Sequence, residues 1–179
     1  LDEAQEHAIK NENNQLIITA GPASGKTTVL TRRIAYLISQ KNVSPESCLA
    51  ITFTKKAAQE MRERLEKLLP EHFDKINIHT FHSLCFSILQ QHSKQAGLDK
   101  DFRVISEQEK KLLDKEYQKD KMLVFDDLIS LTLKLFEENP SIKESYQKLF
   151  EFVSVDEYQD IDENQYKLIK LLVPPDGNI

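Results

Sequence analysis

Leu16-Ile17-Ile18-Thr19-Ala20-Gly21-Pro22-Ala23-Ser24-Gly25-Lys26-Thr27 is the stretch from which the fold can be read. Its first residues are apolar and β-prone, and the run then breaks into small residues before a lysine and a threonine. A strand that opens into such a loop and then into a helix leaves backbone N–H groups pointing into one concavity. The helix N-terminus adds partial positive charge there, and together they suit a phosphate chain. Gly21 and Gly25 permit backbone geometry that a side chain would block. Ala20 stands where the strict pattern has its first glycine, and Ala23 where a third glycine is common. Lys26 has the reach for the β- and γ-phosphates of a nucleotide, and the Thr27 hydroxyl can ligate Mg²⁺. The plainer alternative is a Gly/Ser/Lys turn at a helix start. Against it, Val29, Leu30, Ile34, Leu37 and Ile38 give the next segment a helical apolar period.

A second segment complements the first. Phe152-Val153-Ser154-Val155 reads as a buried strand, and Asp156-Glu157-Tyr158-Gln159-Asp160 follows at its C-terminal end. Ligands of open α/β sheets sit at that end. Asp156 can hold Mg²⁺, directly or through water, and Glu157 can orient and deprotonate an attacking water. An Asp-Glu pair alone is commonly a solvated strand end; paired with a phosphate loop it points to nucleoside triphosphate hydrolysis. Gln159 is a candidate sensor of the γ-phosphate or the water, with Asp160 supporting.

Between these segments strands and helices alternate. Strands are expected at Leu16–Thr19, Leu49–Phe53, Ile76–Ile78 and Phe152–Val155. Helices are expected at Thr27–Gln40, Lys55–Leu69, Phe81–His92, Glu107–Lys119, Phe125–Glu138 and Glu163–Leu172. The helix after Thr54 has that residue as N-cap, an apolar stripe through Ala57, Ala58, Met61, Leu65 and Leu68, and Pro70 as a stop. Alternation of this kind predicts an α/β fold with a parallel sheet flanked by helices on both faces. The charge-rich segment Asp99–Lys121 reads as a solvated helical pair outside the core. Asp126 and Asp127 read as acidic residues favouring a helix N-terminus.

At 179 residues and 40% hydrophobic content, one domain with a real core is expected. The net charge is −5 and the isoelectric point about 5.6, so the chain is not coated for nucleic acid, and any such contact needs a local groove. Five histidines and two cysteines show no metal-ligand spacing. Cys48 and Cys85 are expected reduced and buried in a cytoplasmic protein. No apolar run reaches membrane length, and no signal peptide is visible. Leu1 is not a natural start, so residues are expected to precede it.

Six segments in order carry a resemblance. Leu1 through Ile9 with Gln5, Ala20 through Thr27, Ala50 through Met61, His79 through Leu84, Phe125 through Leu128, and Val155 through Asp160 continuing to Gln165 resemble motifs of the first RecA-like domain (1A) of superfamily 1A DNA helicases. That group contains UvrD, PcrA and Rep. The resemblance implies a P-loop NTPase fold of RecA-like type, ATP with Mg²⁺ as ligands, and single-stranded DNA as partner. It implies unwinding in the 3′–5′ direction and a second RecA-like domain supplying arginine to the nucleotide. It assigns Gln5 to the adenine edge, where an amide can donate and accept. Several departures stand out. Thr28 sits where many members carry an arginine near the nucleotide, and Lys55 where asparagine is usual. Residues 97–123 stand in place of the helical subdomain 1B. Pro174 through Ile179 looks like a turn leading into another strand, and nothing resembles motif III, so the chain reads as domain 1A stopped short of it. A fragment of this kind is expected to be monomeric, to bind nucleotide weakly and to hydrolyse it poorly.

For DNA, Phe53 at a strand end can stack on a base, with Thr52 and Thr54 hydroxyls and the Lys55 and Lys56 charges offered to phosphate. The plainer reading makes Phe53 core and the lysines solvated surface. His79, Thr80 and His82 follow another strand end and could line the same groove; a lone histidine is usually structural. Other classes stay open: a stand-alone P-loop NTPase or kinase, the motor of a helicase–nuclease, and an inert binding module that keeps the fold. A kinase would need lid arginines, whereas Arg32, Arg33, Arg62, Arg64 and Arg103 all have helix-surface or linker explanations.

Overall fold

The computed structural model describes residues 1–113 and 119–179. In chain order the elements are α1 (Glu3–Lys10), α2 (Lys26–Gln40), β1 (Cys48–Thr52), α3 (Lys55–Leu68), β2 (Asn77–Thr80), α4 (Phe81–Gln91), β3 (Arg103–Val104), α5 (Glu107–Leu112), β4 (Met122–Leu123), α6 (Phe125–Glu138), α7 (Pro140–Leu149), β5 (Phe152–Val155) and α8 (Glu163–Leu172). They group into two compact units. The first holds Leu1–Thr80, Gln147–Asp160 and Val173–Ile179; the second holds Phe81–Tyr146 and Ile161–Leu172.

The first unit is built on a parallel sheet in the order β2-β1-β5. β1 is its centre and is buried at every residue, as a parallel strand covered on both faces must be. Cys48 and Ala50 of β1 pack with Ile34 and Ile38 of α2 and with Ala58, Met61 and Leu65 of α3. Thr54 caps α3 as its sequence predicts, its hydroxyl accepting the Ala57 N–H at 3.0 Å, and Met61 and Leu65 are fully buried. Register aligns the strand ends: Thr52 lies beside Thr80, and Ile51 beside Val155. The polar residues that follow β1 and β5 therefore emerge at one edge of the sheet.

In the second unit Leu84, Ile88 and Leu89 of α4, Leu128, Leu135 and Phe136 of α6, and Leu168 and Leu172 of α8 are buried apolar positions. The Tyr146 hydroxyl donates to Gln91 Oε1 at 3.0 Å. Asp127 accepts the Val124 N–H at 3.2 Å, so this carboxylate serves the start of α6. Both cysteines are free and buried, and burial pushes each thiol up to about 12. Among the described residues no helix is long and apolar enough to cross a membrane.

The α/β parallel architecture matches expectation, but three local readings need correction. Leu16–Thr19 is not a strand: the Leu16 N–H donates to the Ile179 C=O at 2.9 Å, and Ile179 donates to Asn14 at 2.8 Å. Ile17 is 74% exposed. β-propensity becomes a strand only where a ladder partner runs alongside, and here the pairing spans two bonds. The Pro174–Ile179 segment does turn, with the Gly177 N–H on the Pro174 C=O at 2.8 Å, and Asn178 then bridges Phe152 in parallel.

The segment Asp99–Lys121, read as a solvated helical pair, contains α5, capped by Ser106 and Glu109, and the strand β3, which pairs in parallel with β4 just beyond the segment. Phe102, Ile105 and Leu123 are buried there, so apolar burial outweighs the local charge pattern. The expected helix to Lys119 ends at Leu112, and residues 114–118 of that expectation lie outside the described residues. α1 and α7 are helices that the apolar pattern did not announce.

Candidate nucleotide-binding site

The phosphate loop leads directly into α2. Gly25 is its N-cap, in the left-handed region at φ 83°, and brings no side chain to cap the helix; the first turn carries no carboxylate. The leading N–H groups of α2 therefore keep their capacity for an anion. Ala23 is also left-handed, at φ 59°, the backbone that explains why glycine suits this position. Lys26 Nζ donates to the carbonyls of Ala20 and Gly21, each at 2.9 Å. Ser24 Oγ is a buried hydroxyl that finds no partner among the described residues. A hydroxyl without a partner, in the loop that leads into the N–H groups of α2, fits a phosphate oxygen.

β5 delivers the acidic half. Thr27 Oγ1 donates to Asp156 Oδ2 at 3.1 Å, joining residues 129 positions apart in the chain. Asp156 is buried, held by its N–H on the Ile51 C=O at 3.0 Å, and its Oδ1 accepts the Glu157 N–H at 3.1 Å. Glu157 has φ 53°, and its carboxylate accepts from Gln159 Nε2. Among the described residues no cluster of three His, Cys, Asp or Glu side chains could hold a metal by itself. A hydroxyl and one carboxylate beside a phosphate cradle instead fit Mg²⁺, which keeps waters and takes phosphate oxygens as ligands.

Gln5 stands beside this loop. Its Nε2 donates to the Ser24 C=O at 3.0 Å. Its Oε1 accepts the Asp2 N–H at 3.0 Å, while Asp2 accepts the Gln5 N–H at 2.8 Å. One amide N–H and one lone pair remain, the donor and acceptor that an adenine edge requires. A Cβ on Gly25 would lie 3.3 Å from Gln5 Nε2, so the absence of a side chain there makes room for the glutamine.

Three arginines do more than the surface or linker roles expected of them. Arg64 donates to Thr28 Oγ1 at 3.1 Å, which brings a guanidinium to the start of α2. Arg62 donates to the Ile78 C=O at 3.3 Å. Arg33 Nη1 reaches the carbonyls of Ala8, Ile9 and Asn11 at 3.2, 3.2 and 2.6 Å. Periodicity gave no signal for these contacts, because each reaches a group on a separate segment.

Of the expected DNA residues, Thr52, Phe53, Thr54, Lys55 and Thr80 lie at or just beyond the C-terminal ends of β1 and β2 in the first unit. Thr52 and Thr80 are buried neighbours in register, and Thr52 Oγ1 donates to the Thr54 C=O at 3.3 Å. Phe53 is half-buried; Thr54 and Lys55 are exposed. His82 belongs to the second unit, where its ring meets Phe125 edge-on at 5.2 Å. His79 is held below its ordinary value by burial and by the nearby Arg62.

Comparison with known proteins agrees with this geometry. The family model described as the UvrD/REP helicase N-terminal domain matches residues 1–122 and 110–179. The chain is 35% identical over 231 aligned residues to ATP-dependent DNA helicase PcrA of Staphylococcus aureus (strain NCTC 8325 / PS 47), covering 98% of this chain and 32% of that protein. It is 36% identical over 228 residues to ATP-dependent DNA helicase PcrA of Bacillus subtilis (strain 168), covering 96% and 31%. The chain thus spans about a third of the length of the curated relatives it matches. Its phosphate loop, its acidic strand end and the match along its whole length place it in one family: the chain belongs to the UvrD/REP helicase N-terminal domains.

Proposed function

We propose that this chain is the ATP-binding motor domain of a 3′–5′ DNA helicase, whose parent hydrolyses ATP to move along single-stranded DNA and unwind duplex. The observation that carries the proposal is the 3.1 Å bond from Thr27 to Asp156. It closes the phosphate loop onto the acidic strand end, which is what a hydrolytic nucleotide site requires and a plain turn does not.

On this reading Lys26 leaves the Ala20 and Gly21 carbonyls for the β- and γ-phosphates. The Ser24 hydroxyl and the leading N–H groups of α2, with Ala20 through Gly25 forming the cradle, take the remaining phosphate oxygens. Gln5 reads the adenine edge, and Thr28 with Arg64 flanks the loop. Magnesium bound by Thr27 and Asp156 would neutralise phosphate charge. Glu157, oriented by Gln159, takes the proton of the attacking water as its oxygen bonds the γ-phosphorus and the bond to the departing ADP oxygen breaks. Arginine from a second RecA-like domain of the parent contributes about 10³–10⁵ in rate in enzymes of this kind, so the chain alone is expected to turn over slowly. Phe53, with Thr52, Thr54, Lys55, Thr80 and His82, contacts single-stranded DNA.

The segment 97–123 stands in place of subdomain 1B; the 231 aligned positions exceed the 179 residues of this chain, in keeping with a longer insertion in the relative. The proposal includes a cytoplasmic parent and a monomeric chain. The test is calorimetric titration with Mg·ATP, repeated on Lys26→Ala. Binding that disappears in the variant is the expected result; equal binding by both proteins would refute the site.

A further inference from the structure

α1 is eight residues long and buries one side chain, Ile9. A helix of about 12 Å is marginal by itself in water, and its last carbonyls have no partners within the helix. Two tethers hold it. Near its N-terminus the Gln5 amide donates to the Ser24 C=O at 3.0 Å. At its C-terminus Arg33 Nη1 stands at the focus of three carbonyls, those of Ala8, Ile9 and Asn11, at 3.2, 3.2 and 2.6 Å. Arg33 belongs to α2, the helix that begins with Lys26, and follows Lys26 by about two turns on the same side. One rigid helix therefore carries the phosphate-binding lysine at its start and the anchor of α1 further along.

We infer that Arg33 is a positioning residue that caps α1 and so holds Gln5 at the phosphate loop, setting how well the site tells a nucleoside triphosphate from a bare triphosphate. This deepens the nucleotide reading and rests on it. Arg33 touches no part of the expected ligand; it acts through Gln5. The three carbonyls converge on one nitrogen, Nη1, whose charge is delocalised and less hydrated than an ammonium, so a half-buried place among carbonyls costs it less desolvation than it would cost a lysine. Without it α1 keeps Ile9 as its buried contact, and the Gln5 amide loses its fixed bearing on the base. The phosphate cradle, made by other residues, keeps its geometry.

The experiment measures binding of Mg·ATP and of inorganic tripolyphosphate to the full chain by calorimetry. Arg33→Ala is expected to weaken ATP roughly tenfold, the size of one hydrogen bond, and to leave tripolyphosphate unchanged. Arg33→Lys should restore part of the loss. Gln5→Ala should show the same selective loss, and adding Arg33→Ala to it should cost nothing more. Equal weakening of both ligands, or of neither, overturns the inference, because a purely structural role would not separate them. Should Arg33→Ala unfold, Arg33→Gln keeps an amide donor for the carbonyls and carries the same comparison. If the wild-type protein binds both ligands equally, Gln5 does not read the base and the inference fails while the phosphate site stands. If it binds neither, the nucleotide reading itself fails.

Discussion

Gly25→Ala tests the loop where backbone strain and ligand geometry meet. Gly25 sits at φ 83°, where an alanine costs about 1–2 kcal/mol relative to glycine. The alanine also loses less chain entropy on folding, which returns about 0.4–1 kcal/mol. The new Cβ would stand 3.3 Å from Gln5 Nε2, close enough to displace the amide from the Ser24 C=O, a further loss of about 1 kcal/mol. The net expectation is destabilisation of about 1.5 kcal/mol. Ala23→Gly is the opposite experiment in the same loop. Ala23 already carries the left-handed strain at φ 59°, so glycine should stabilise by about 0.5–1 kcal/mol once its extra unfolded entropy is subtracted. Guanidinium denaturation followed by circular dichroism, with equal slopes for all three proteins, gives both values. An unchanged midpoint in Gly25→Ala, or a clear destabilisation in Ala23→Gly, would refute the strain argument.

Three other expectations are independent of that loop. Met61 of α3 is fully buried in the core that α3 shares with α2 and β1, so Met61→Ala should cost about 2–5 kcal/mol in the same denaturation assay; a loss below about 1 kcal/mol would mean that the core closes over the gap. His79 is held below its ordinary value by burial and then by Arg62. The unfolded chain therefore binds the proton first as pH falls through about 6.5, and stability is present above that pH and lost below it. His79→Gln should flatten this part of the pH–stability curve, and an unchanged slope counts against the assignment. In the full-length parent, Glu157→Gln should keep ATP binding and lower turnover by about 10²–10⁴, the usual worth of a positioned base; turnover at the wild-type rate removes Glu157 from that role.

The elements legible in the sequence are those whose own pattern decides them. α6, α8 and β5 have the boundaries expected from apolar spacing, and α3 starts at the Thr54 cap as read. The pairing of Thr27 with Asp156 was legible across a long separation because the chemistry of a nucleotide site demands both halves. Elsewhere a partner decides. Leu16–Thr19 has strand composition without a strand beside its full length. β3 and β4 are two residues each and exist through their mutual pairing and the burial of Phe102 and Ile105. α1 buries only Ile9 and is held by Arg33, whose role depends on carbonyls more than twenty positions away. The left-handed backbone of Glu157 leaves no trace in residue type.

The resting place of Lys26 has a consequence for which ligands the site admits. With its ammonium bound by two carbonyls at 2.9 Å, the loop does not offer a bare positive charge. An incoming anion must compete with the protein's own backbone for that lysine. On the proposed reading a single anion would replace those two bonds with one partner, whereas a polyphosphate would also have the leading N–H groups of α2 to engage. If the site binds nucleotide as proposed, the carbonyls would act as a threshold that favours a ligand with several phosphates in line over a simple anion.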